Sequence, residues 1–89
     1  MINSFYLVRR VDCGNKAHTI IFWVSKGEDR SWIAKSDDYP GLVIWDKSLD
    51  VVISEIDPVT KLWFEAKYKQ KTYVSDLNPT QLIVEIKRS

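Results

Sequence analysis

The sequence predicts an α+β domain, an antiparallel sheet of three to five strands backed on one face by one helix, in the order β-β-β-β-α-β. Three observations predict it. Residues 17–25, Ala-His-Thr-Ile-Ile-Phe-Trp-Val-Ser, are β-branched, aromatic and almost continuously apolar, as expected of a strand covered on both faces or lying centrally. Tyr39-Pro40-Gly41 reverses the chain, because proline presets φ at one turn position and glycine tolerates positive φ at the next. Beyond Ser48 the apolar period changes from two to about 3.6, which marks a helix.

The elements follow in chain order. Residues 2–11 alternate loosely, with Phe5, Leu7 and Val11 on one side and Tyr6 and Val8 on the other, before the turn residues Asp12-Cys13-Gly14-Asn15. The interior charges Arg9 and Arg10 suit either an edge strand or a leader, so the core is expected over residues 17–87. Lys26-Gly27-Glu28-Asp29-Arg30 has the polarity and length of a hairpin turn. It joins residues 17–25 to a strand over 31–37, in which Trp32, Ala34 and Ser36 alternate against Ile33 and Lys35. After the proline-glycine reversal, residues 42–45 complete the meander.

The helix places Leu49, Val52, Ile53, Ile56, Thr60, Trp63 and Phe64 on one face, opposite Asp50, Glu55, Lys61 and Glu65. Ser48 is its expected N-cap. Asp57-Pro58 predicts a kink or a restart, since proline removes a helical hydrogen bond and Asp-Pro is itself a start signal. The second piece should reach about Tyr68. Residues 73–77 read as a connector, Asn78-Pro79 as a turn, and residues 80–87 as a last strand with Leu82, Val84 and Ile86 on one face.

Composition narrows the function. Eighty-nine residues suit a single domain spanning 1–89, and 45% hydrophobic content supports a core without metal or disulfide. A net charge of +1 provides no global field toward nucleic acid or an anionic membrane. The lone Cys13 excludes an internal disulfide and makes a reducing, cytoplasmic setting the expectation. No leader pattern opens the chain, and no run approaches the roughly 18 apolar residues of a membrane span.

The chemistry-bearing residues are sparse. Cys13 and His18 could form a nucleophile-base pair, but no orienting motif accompanies them, and metal-ligand pairs at ordinary spacing are absent. Asp37 and Asp38, with Asp12 or Asp46, are the carboxylates that a divalent-dependent nuclease would need, yet neighbours on a strand point to opposite faces and turn capping is the commoner role. Gly14, Gly27 and Gly41 are too dispersed to cradle a phosphate. No catalytic residue and no cofactor are therefore expected.

The run Trp32-Ile33-Ala34-Lys35-Ser36-Asp37-Asp38-Tyr39-Pro40-Gly41-Leu42-Val43, followed by a helix opening with Ser48-Leu49-Asp50, resembles the N-terminal domain of HicB-type antitoxins. In that family an aromatic strand leads through an Asp-x-Pro-Gly turn to a strand and a helix. The likeness covers about residues 19–64, and it departs where Val51-Val52 replaces the usual Glu-Ala pair and where Pro58 enters the helix. The resemblance implies a partial RNase H-like fold and a protein that binds and neutralises a small RNA-cleaving toxin of the HicA kind. The chain stops at Ser89, soon after the last expected strand, so no DNA-binding tail is expected.

Two groups of residues are the candidates for contact with a partner. Trp45-Asp46 ends a short strand beside the helix start, where an exposed ring could anchor a protein, and Asp38 and Tyr39 of the adjoining turn join it. Lys67, Lys69 and Lys71, interleaved with Tyr68 and Tyr73, mix cations and aromatics as RNA-binding surfaces do. Exposed strand edges also make a homodimer the expectation.

Overall fold

The computed structural model describes residues 4–77, and the strand expected over residues 80–87, with the turn at Asn78-Pro79, lies outside them. Five strands and one helix follow in the order β1 (Ser4–Cys13), β2 (Lys16–Lys26), β3 (Trp32–Lys35), β4 (Val43–Asp46), α1 (Leu49–Tyr68) and β5 (Thr72–Asp76). This is the α+β class and the element order that the periodicity predicts. The sheet is antiparallel throughout, ordered β4-β3-β2-β1-β5.

Residues 4–13 are neither an edge strand nor a leader, because β1 is hydrogen-bonded to β2 on one side and to β5 on the other. Their charge is accommodated. Arg9, opposite Asp76 in the register, is 5% exposed and paired with Asp57 and Asp76, while Arg10 lies in solvent beside Asp12. Cys13 pairs with Lys16 across a two-residue turn in which Gly14 takes φ +61°, the left-handed value that a tight hairpin asks of its first central residue.

The segment after the helix is likewise a strand and not a connector. The left-handed Lys69 ends α1, its N–H donating to the Glu65 carbonyl, and the chain then turns back along β1 from Thr72. Thr72 is fully buried, and its N–H donates to the Glu65 carboxylate.

Helix α1 runs unbroken through Pro58. Ser48 caps it, its hydroxyl accepting from the N–H of Val51. Proline at 58 deprives the carbonyl of Ser54 of its donor, but Ser54 and Pro58 both lie on the exposed side, where that carbonyl can be hydrated. Val52, Ile56, Thr60 and Phe64, spaced by four and all fully buried, hold both halves of the helix to the sheet. The Asp57 carboxylate accepts from Nε of Arg9, so the residue that reads as a helix-start signal serves as a tether between helix and sheet.

The core lies between α1 and one face of the sheet, built from Leu7, Val11, Ile20, Phe22, Val24, Ala34, Leu42 and Ile44 against Val52, Ile56 and Phe64. The odd residues of β1 and the even residues of β2 supply it, as the register demands. Their alternates point to the other face.

Candidate functional site

Strand β4 ends the sheet and is paired on one side only among the described residues. Its Ile44 is 6% exposed and packs into the core, whereas the flanking Val43 and Trp45 point away from α1 and are 50% and 64% exposed. An indole on such an edge is a large apolar anchor, left largely in solvent among the described residues.

The residues grouped with Trp45 do different jobs. Asp46 Oδ2 accepts from the N–H of Ser48 at 2.8 Å and so shapes the entry to the helix. Tyr39 turns inward: its hydroxyl lies 3.3 Å from Nδ1 of His18, and its ring centroid is 5.8 Å from that of Trp63 and 5.3 Å from that of Phe64. Burial pushes this hydroxyl above the ordinary tyrosine range. Asp38 points the other way and, with Asp37, lines an open groove of about 620 Å³ whose remaining walls are Tyr6, Ile21, Trp23 and Lys35. The turn thus brings both aspartates to one groove, which strand geometry alone would forbid.

The three lysines at the helix exit are dispersed among aromatic neighbours. Lys67 sits 4.8 Å from the Trp63 ring, Lys69 forms the left-handed helix terminus, and Lys71 sits 5.5 Å from the exposed ring of Tyr73. A hydrogen bond to Tyr73 raises the pKa of Lys71 above the usual lysine value.

Cys13 and His18 do come together, lining a cavity of about 400 Å³ with Asn15, Lys16, Tyr68 and Gln70. Cys13 is a free, buried thiol. Among the described residues, no three His, Cys, Asp or Glu side chains cluster as metal ligands.

One surface escaped the sequence reading. Ile21, between the fully buried Ile20 and Phe22, is 51% exposed on the face turned away from α1. Trp23 stands beside it with its ring centroid 4.4 Å from that of Tyr6 on β1. Continuous apolarity over residues 17–25 fits a strand covered on both faces or lying centrally; β2 is the central strand, and α1 covers only one of its faces. The signal was present in Tyr6 and Val8 of β1, which alternate with the core residues and are themselves apolar. Compared with protein-family models, with curated proteins and with solved structures, the chain matches none of them.

Proposed function

We propose that this chain is a non-catalytic binding protein that docks a small RNA-cleaving protein along the free edge of β4 and silences it by occupying its active surface, as HicB-type antitoxins do. The observation that carries the reading is Trp45, 64% exposed on a strand with one unpaired side. An added strand would satisfy the open N–H and C=O groups of the edge, and the indole would fill a pocket in the partner. The surroundings suit a basic, RNA-binding surface: Asp37, Asp38, Asp46 and Asp50 bracket β4 against Lys35 and Lys47.

The test is to mix the protein with a small endoribonuclease encoded beside it. A stable complex on size exclusion and loss of RNA cleavage are expected, with Trp45→Ala weakening the complex by about 30-fold or more, as a central aromatic anchor does. Undiminished cleavage in the presence of excess protein refutes the reading. The alternative, RNA binding by Lys67, Lys69 and Lys71, draws support from the exposed Lys71-Tyr73 pair, a cation beside a ring on which a base could stack. It requires an affinity that falls steeply with salt.

A further inference from the structure

We propose that the open face of the sheet, centred on Ile21, Trp23 and Tyr6, is the contact between two copies of this chain. The register makes the patch continuous. Val43, Lys35, Trp23 and Tyr6 form one row across β4, β3, β2 and β1, and in the next row the exposed Ile21 stands beside Val8, itself buried at 6% exposure. Leu77 extends that row, its N–H donating to the carbonyl of Val8 at 3.1 Å.

Exposure measures the patch. Ile21 is 51% exposed, Val43 50%, Leu77 41% and Tyr6 37%, and the charged Lys35, Asp37 and Asp38 line the groove beside Tyr6 and Ile21. Half-exposed apolar side chains gathered on one sheet face mark a contact site.

The occupant follows from charge and symmetry. The net charge of +1 sets no long-range repulsion between copies. The groove carries both signs, Lys35 with Asp37 and Asp38. In a two-fold contact the same patch serves both partners, so the lysine of one copy meets the acids of the other while the aromatic pairs close the centre. This dimer is argued from the sheet face alone and does not rest on the toxin reading; Val43, Lys35, Asp37 and Asp38 belong to both surfaces, so a second copy and a toxin would compete for them.

Sedimentation of the full chain across a concentration series tests the proposal. A dimer with Kd of about 10 µM or tighter is expected. Ile21→Asp should raise Kd at least about 30-fold while leaving the cooperative unfolding transition intact, since the residue is half exposed in the single chain. Lys35→Glu should weaken the dimer, and combining it with Asp38→Lys should restore it. A monomer at about 100 µM, the face then being covered within the chain or by a different protein, overturns the proposal. So does a dimer that both single variants leave unchanged, because the copies would then meet elsewhere.

Discussion

Arg9 and its two carboxylates allow a test in which the direction of removal decides the cost. The Arg9 side chain is 6% exposed, and its guanidinium makes three polar contacts: Nε to Asp57 at 2.8 Å, one terminal nitrogen to Asp76 at 2.7 Å, and the same nitrogen to the Val8 carbonyl at 3.1 Å. Its partners are far wetter, Asp57 at 48% and Asp76 at 64% exposure. Arg9→Met keeps the apolar stem, recovers the desolvation of the cation and leaves two carboxylates that water can solvate. It should cost about 1 kcal/mol. The double variant Asp57→Ala, Asp76→Ala leaves a buried guanidinium without a counter-charge, and should cost about 3 kcal/mol even after the few tenths that alanine returns to the helix. Urea denaturation of both proteins at neutral pH measures the difference. For a domain of this size, thermal midpoints should fall by about 4–8 °C and about 12–24 °C respectively. A double variant no less stable than Arg9→Met would refute the account, because the cation would then be solvated well enough to need no partners.

Two further predictions concern the helix. Thr60 is fully buried and its hydroxyl has no hydrogen-bond partner among the described residues, so Thr60→Val should stabilise the domain by about 1 kcal/mol, and a lower urea midpoint would show that the hydroxyl is satisfied after all. The Glu65 carboxylate accepts from Lys61 at 2.7 Å and from the N–H of Thr72 at 3.1 Å, contacts that hold its pKa below the ordinary 4.5. A carboxylate depressed by folding stabilises fully above its unfolded value and loses that contribution as pH falls through the folded value. Glu65→Gln should therefore flatten the decline of stability on acidification below about pH 4.5, and an acid limb of unchanged slope would count against it.

Most of the fold was legible because the core obeys simple periods. Val52, Ile56, Thr60 and Phe64 repeat at four, Ile20, Phe22 and Val24 at two, and each period has one structural meaning. Errors arose where a local signal had a tertiary use. Asp57-Pro58 reads as a helix start, but its carboxylate is drawn to Arg9, a residue 48 positions away whose own charge had made β1 look peripheral. Residues 73–77 read as a connector because too few apolar residues mark a strand; the pairing with β1 that orders Thr72–Asp76 is a long-range contact.

The candidate surface was less legible for a related reason. Hydrophobicity reports that a side chain leaves water, but not what takes the water's place. Trp23 reads as core or semi-core and is half-buried, but the register puts it with Tyr6 on the face opposite α1, and the same parity exposes Ile21. One helix cannot cover both faces of a sheet, so strands apolar on both sides need a second cover. The excess of tryptophan that suggested an anchor at Trp45 is thus one sign of a wider imbalance: among the described residues the strands carry more apolar surface than α1 can bury. The surplus lies on the groove that Ile21, Trp23 and Tyr6 line and on the rim at Trp45, where a macromolecular contact would remove it from water.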